Sequence, residues 1–159
     1  MNTIKTALFI LAVPGSIAII IPVNLILPLE KNIIRLGVFT WLSPLFWVTG
    51  TAVLLWCAVD FVRKGQGTPV PVDAPKHLVI GGLYRFVRNP MYVGVLLFTI
   101  GDAIWFGSPL LGGYVVFLWI VFHVFVLLYE EPHLGKIFGA EYREYCQSVP
   151  RWTLRFRRR

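Results

Sequence analysis

Four long apolar stretches, at residues 7–29, 36–62, 91–106 and 109–129, dominate the hydropathy pattern of the chain. Polar residues crowd into the breaks between them. A helix needs ~20 mainly apolar residues to cross a bilayer, so each stretch is a candidate span. The third is the shortest, and it either thins the bilayer locally or begins deeper than its neighbours. The pattern predicts an all-α, polytopic transmembrane bundle of about four spans in a single domain. Residues 1–62 make an N-terminal helical hairpin, 63–90 a loop, 91–129 a second hairpin, and 130–159 a capping segment with a basic tail. The first stretch is too long for the apolar core of a removable signal peptide, and no small-residue cleavage site precedes a soluble domain. Pro14, Pro22, Pro28 and Pro44 interrupt the first hairpin, which predicts kinked packing against neighbouring helices.

Beyond the fourth stretch the period changes. Leu134, Phe138, Tyr142 and Tyr145 recur at helical spacing, with Lys136, Glu141, Arg143 and Glu144 elsewhere around the turn. This predicts a C-terminal amphipathic helix lying in the membrane interface and capping the spans.

Charge orients the bundle. Four spans put Lys5, the 63–90 loop and everything after Tyr129 on one side. That side holds 13 of the 15 Lys and Arg residues, leaving Lys31 and Arg35 opposite. The positive-inside rule then makes both termini, the long loop and any site beside them cytoplasmic. The net charge of +7 lines a membrane face, so anionic headgroups are the expected partner and nucleic acid is not. Arg155, Arg157, Arg158 and Arg159 read as an anchor to that surface. Gly65-Gln66-Gly67 is a weak phosphate-binding signal, and with Pro69, Pro71 and Pro75 after it the segment reads as a stiff surface linker. Two cysteines, Cys57 and Cys146, and three histidines supply neither a disulfide framework nor a zinc spacing, so no metal is expected.

Candidate chemistry gathers in residues 81–94, a basic and aromatic stretch at the mouth of the third span. Asn89-Pro90 reads as a helix start, with Asn at the N-cap and Pro in the first turn, where no N–H is needed. A helix N-terminus suits an anionic group, and Arg85 and Arg88 add charge beside it. Tyr84, Phe86 and Tyr92 offer flat faces. An arginine-rich turn with tyrosines is also the ordinary look of a membrane boundary, and both readings stand on this stretch alone. Gly107-Ser108 joins the third and fourth spans in a tight hairpin. Their lengths of ~24 and ~31 Å return the far ends to one face, bringing Asn89-Pro90 near Glu130-Glu131-Pro132. Two carboxylates at a helix C-terminus oppose the dipole unless a cation binds there. Arginines of the 81–94 stretch or a ligand ammonium could be that cation.

Two separated motifs carry a resemblance. The first is Gly82-x-Tyr84-x-x-x-Arg88-Asn89-Pro90-Met91-Tyr92-x-Gly94. The second is Glu130-Glu131-Pro132-His133-Leu134, followed by Phe138-Gly139 and Tyr142-x-x-Tyr145. Together they resemble the integral-membrane methyltransferases, that is, the isoprenylcysteine carboxyl methyltransferases and phospholipid N-methyltransferases, over residues 81–151. The isoprenylcysteine branch usually carries His where this chain has Asn89, and the Asn-Pro-Met-Tyr and Leu-Tyr-Glu-Glu-Pro wording looks more like the phospholipid branch, whereas the Phe-Gly-x-x-Tyr-x-x-Tyr ending leans towards the isoprenylcysteine one. The resemblance implies S-adenosylmethionine as cofactor, clasped at the cytoplasmic ends of the last spans by Tyr84, Arg88, Pro90, Tyr92, Gly94, Glu130 and Glu131. It implies Arg88, Asn89 and Glu131 as the catalytic set, and a lipid or prenylated acceptor. The chemistry agrees: Arg88 and the helix start suit the cofactor's carboxylate, Glu130 its α-ammonium, and Tyr92 its sulfonium or adenine. A non-enzymatic membrane protein that keeps the scaffold to bind lipid or a partner is the alternative. Asp102 reads as either a functional or an interfacial charge, and His123 as a hydrogen-bonding core residue.

Overall fold

A computed structural model describes residues 13–60 and 77–153. Lys5, the Gly65-Gln66-Gly67 linker and the arginines from Arg155 onward lie outside the described residues. The regular secondary structure of the described residues is all helical, with no strand among them. Helix α1 spans Val13–Leu29 and α2 spans Ser43–Asp60, entered through a 3₁₀ turn at Gly37–Leu42. A 3₁₀ turn at Gly82–Arg85 precedes α3, Pro90–Phe106. Helix α4 spans Pro109–Phe125, and a π-helical turn at Val126–Glu130 leads without a break into α5, Glu131–Ser148.

Helix α3 is the centre of the bundle, with its most extensive contact against α2. The two run antiparallel along a seam of small residues. A Cβ on Gly50 would stand 2.7 Å from the carbonyl oxygen of Gly94, and one on Gly101 2.7 Å from Trp47. Without side chains there, the backbones approach closely enough for packing to hold helices together in lipid, where no hydrophobic drive exists between them. Gly50→Ala is therefore expected to destabilise the protein by about 1–3 kcal/mol, the usual cost of overpacking, because backbone atoms of α3 have nowhere to move. Thermal unfolding in detergent checks this. On its other side α3 meets α1 and α4, where Ala18, Val95, Leu118 and Phe122 form a buried cluster.

The α3–α4 hairpin is as tight as its sequence predicts. Gly107 takes φ 58°, and Ser108 caps α4 by accepting from the Leu111 N–H at 3.1 Å. Glu30, from the loop after α1, accepts from the Ser108 hydroxyl and from the Leu110 N–H. Asp102 is buried and accepts from Trp47 Nε1 at 2.9 Å, so it belongs to the α2–α3 seam.

Two helices, Gly37–Asp60 and the continuous Pro109–Ser148, are long and apolar enough to cross a membrane; Val13–Leu29 and Pro90–Phe106 are shorter apolar helices. A core helix of a soluble protein would be mostly buried, yet only 17% and 22% of the two apolar windows are. Leu45, Val48 and Leu55 on α2 and Val116, Phe117 and Ile120 on α4 are all exposed. Side chains of this kind facing outward all round need lipid. The protein is accordingly an integral membrane protein.

One sequence-based expectation fails here. The fourth span was expected to end as a helix near Tyr129, leaving Glu130 and Glu131 against a C-terminal dipole. Instead the helix runs on past Pro132. Pro132 lacks the N–H that a preceding carbonyl would use, and it is tolerated because the wider turn lies just before it and it occupies the first turn of α5. The two carboxylates therefore sit within a continuous helix. Helix α5 kinks at Gly139 (φ 54°, ψ −116°). Its predicted face closes on itself, with Tyr142, Tyr145 and Val149 buried against Leu134 and Phe138.

Candidate active site

The start of α3, the α4–α5 junction and residues 149–152 meet at one end of the bundle. Arg88 stands two residues before the helix start at Pro90. Its backbone N–H donates to the Pro150 carbonyl at 3.0 Å, and its Nη1 lies 3.0 Å from Glu131 Oε1 and 2.7 Å from Cys146 Sγ. Its Nε is buried with no hydrogen-bond partner among the described residues. Arg151 meets the same carboxylate through both arms, Nε to Oε1 at 2.6 Å and Nη2 to Oε2 at 2.9 Å. This bidentate bond holds the Arg151 guanidinium charged, pushing its pKa further up. Glu131 is thus shared by two cations.

Glu130 has a different environment. It accepts from the Tyr92 hydroxyl at 2.8 Å and makes no ion pair among the described residues. Burial pushes its carboxyl pKa above the ordinary 4.5, against the Tyr92 hydrogen bond, which lowers it, and with the adjacent Glu131 charge, which raises it. Tyr92 stacks near Phe122, ring centres 4.7 Å apart, and reaches Trp152 at 6.4 Å. Summed over the cluster, two guanidinium groups face two carboxylates, but only Glu131 is paired.

Asn89 occupies the N-cap position, yet its side chain does not cap the helix. It is buried and donates from Nδ2 to the Arg151 carbonyl at 3.2 Å. The expected capping role is thereby corrected: residues 149–152 compete for the amide, and the first turn of α3 keeps its N–H groups free of any side-chain cap. Capping would let Asn89→Asp keep the fold. A donor to a carbonyl cannot be replaced by a carboxylate, so Asn89→Asp is expected to cost about 1–3 kcal/mol through the unpaired buried carbonyl and the added repulsion. Comparative melting of Asn89→Asp and Asn89→Ser measures it.

Of the residues singled out by sequence, Arg88, Asn89, Pro90, Tyr92, Glu130 and Glu131 come together. Gly94 does not join them: two residues on from Tyr92, it points to the opposite side of α3 and lies against Gly50. Tyr84 sits beneath the cluster, buried with Cys57 and Val79, and its carbonyl accepts from the Tyr145 hydroxyl at 2.7 Å. Sequence reasoning missed Arg151, Cys146 and Trp152 as members of the site. His123, expected to be a hydrogen-bonding core residue, accepts from Trp152 Nε1 at 2.8 Å.

Apolar helices with much of their surface exposed, and a cluster of charged side chains at one end, define a membrane protein with a candidate site at that end of the bundle. The sequence profile described as phospholipid methyltransferase matches residues 33–141, and the chain belongs to that family. It is similar to protein-S-isoprenylcysteine O-methyltransferase A of Arabidopsis thaliana, 27% identical over 137 residues that cover 79% of this chain and 68% of that protein. The Mus musculus protein-S-isoprenylcysteine O-methyltransferase is 30% identical over 121 residues, 69% of this chain and 42% of its own length. Methanethiol S-methyltransferase 1 of Bradyrhizobium diazoefficiens is 36% identical over 69 residues, 42% of this chain and 22% of its own. The matches to the last two span less than half of those relatives.

Proposed function

We propose that this protein is an S-adenosylmethionine-dependent methyltransferase acting on a lipidated acceptor at the membrane surface. The observation that carries the reading is the pairing pattern at the site. Among the described residues, Arg88 keeps a buried, unpartnered Nε, no side chain caps the α3 start, and Glu130 is a half-buried carboxylate without a cation. One spare positive pole beside one spare negative pole matches the carboxylate and ammonium of an amino-acid moiety, so the residues fit the donor. When bound, S-adenosylmethionine supplies a methyl group already activated on a sulfonium. Arg88 and the α3 start hold the donor's carboxylate, and Glu130 holds its ammonium. Tyr92 fixes the Glu130 carboxylate, and the Tyr92, Phe122 and Trp152 rings keep water away. Glu131 is the post that positions Arg88, with Arg151 as its brace.

Acceptor chemistry favours a carboxylate. An amine headgroup must lose a proton before attack, and the only unpaired carboxylate of this cluster is committed to the donor. A carboxylate acceptor needs no base, and several relatives carry the name isoprenylcysteine O-methyltransferase. Radiolabelled methyl transfer, offered in parallel to a prenylcysteine analogue and a total lipid extract, tests this. Label in the prenylcysteine ester supports the reading; label only in lipid amines moves the acceptor to the phospholipid type. No transfer and no affinity for S-adenosylhomocysteine would favour a non-enzymatic binding protein.

The same proposal makes all four helices spans, with the site cytoplasmic. Among the described residues Lys31 and Arg35 lie at the opposite end from Arg85, Arg88, Lys136, Arg143 and Arg151, as the positive-inside rule requires. A cysteine placed at Lys31 should react with an impermeant thiol reagent from outside only; labelling from the cytoplasm alone would invert the topology.

A further inference from the structure

Residues 149–152 form a strap: Val149 closes α5, and each of the next three carries a bond to the bundle. The Val149 N–H donates to the Tyr145 carbonyl, the Pro150 carbonyl accepts from Arg88, and the Arg151 carbonyl accepts from Asn89. Trp152 ends the strap and reaches across to α4, donating to His123 Nδ1 at 2.8 Å. An indole N–H is a donor only, so Nδ1 must be the bare nitrogen and the imidazole proton sits on Nε2. His123 is oriented for this by Trp119, one turn earlier, which stacks on it with ring centres 5.3 Å apart at 19°. The indole packs against the buried cluster of Ala18, Val95, Leu118 and Phe122, beside Tyr92. A polar bond in the apolar part of a bundle is kept when it fixes a geometry, because its alternative is two unsatisfied groups.

We propose that His123 and Trp152 are positioning residues. Through their mutual hydrogen bond they pin the strap across the start of α3 and hold Arg88, Asn89 and the Arg151–Glu131 brace in place for the donor. The proposal rests on the methyl-donor reading of the site. The side-chain hydrogen bond of each is to the other and not to Arg88, Glu130 or Glu131, the groups assigned to the donor's polar ends, so on those groups both act through the strap. Unpinning it loosens three of the contacts that shape the site while leaving the seam of α2 and α3 untouched.

A double-mutant cycle tests it. His123→Phe keeps the ring on Trp119 and removes the acceptor; Trp152→Phe keeps a ring beside Tyr92 and removes the donor. Each is expected to raise the Kd for S-adenosylhomocysteine, and the KM for the donor, about three- to tenfold, the worth of one net hydrogen bond. The double variant should be no worse than either single, since both remove the same bond. His123→Gln, whose amide oxygen can accept from Trp152, should restore most of the affinity. Hydrogen exchange of the Val149, Arg151, Trp152 and Thr153 amides in the ligand-free protein should speed up in both single variants and recover in His123→Gln. Fold-changes that multiply in the double variant, or single variants that bind like wild type, would overturn the pin while leaving the donor site standing. Wild-type protein that fails to bind S-adenosylhomocysteine would overturn both.

Discussion

Glu130→Gln is expected to leave a folded protein that binds S-adenosylhomocysteine about ten- to a hundredfold more weakly, a loss of roughly 1.5–3 kcal/mol for a hydrogen bond to a charged group. The amide keeps an oxygen for the Tyr92 hydroxyl, so the local scaffold survives, and only the charge offered to the ligand's ammonium is gone. Acidity separates this from a packing effect. Burial raises the Glu130 pKa above 4.5 in the folded protein. Between the unfolded and folded values the native state holds more protons, so ionising this group works against folding as pH rises through that window. The Gln variant escapes that cost, and its melting temperature near neutral pH should equal or exceed that of wild type. Wild-type affinity should fall as pH drops through the raised value, because the ligand needs the ionised form; the variant's affinity should be flat there. Calorimetric titration across pH, beside melting curves without ligand, reads both. An affinity unchanged by the substitution would remove Glu130 from the donor site.

Glu131→Gln should do the reverse. Glu131 is the anion between Arg88 and Arg151, with side-chain exposures of 20%, 11% and 27% in that order. Deleting it leaves two guanidinium groups facing each other in a partly dry setting. A fully buried pair broken this way costs 3–5 kcal/mol and a surface pair less than 1, so about 2 kcal/mol of apo stability is the expected loss. Arg88 would also be released from its post, so turnover should fall with stability. The neighbouring carboxylates thus have opposite signatures, one in ligand affinity with stability kept, the other in stability first. A Glu131 variant that melts like wild type would mean the ion pairs contribute nothing to the fold.

The helices, the tight hairpin at Gly107 and the meeting of the 88–92 and 130–131 segments were legible because apolar length and turn chemistry are local signals. The partition of the two glutamates was not. It depends on Arg151, twenty residues downstream, turning back onto Glu131. Asn89 misled because capping is a local preference, and a tertiary contact with the Arg151 carbonyl displaced it. The continuation of the helix past Pro132 was hidden because a proline reads as a stop unless the turn before it widens, and no residue type announces that widening. The partnership of His123 with Trp152 had a weaker signal, since an imidazole and an indole taken out of water both need partners.

The wide turn at Val126–Glu130 works as a phase adjuster. In a rigid α-helix each residue's compass bearing follows from its number, about 100° per step. The lipid-facing and α3-facing sides of α4 would then dictate where Glu130 and Glu131 point. One five-residue loop of the ladder resets that bearing. Deleting a single residue from it, Leu128 for example, would swing every later side chain by about 100° and carry both carboxylates off Arg88 and Tyr92. The apolar half of the helix and the half that carries the two carboxylates therefore each keep their own azimuth.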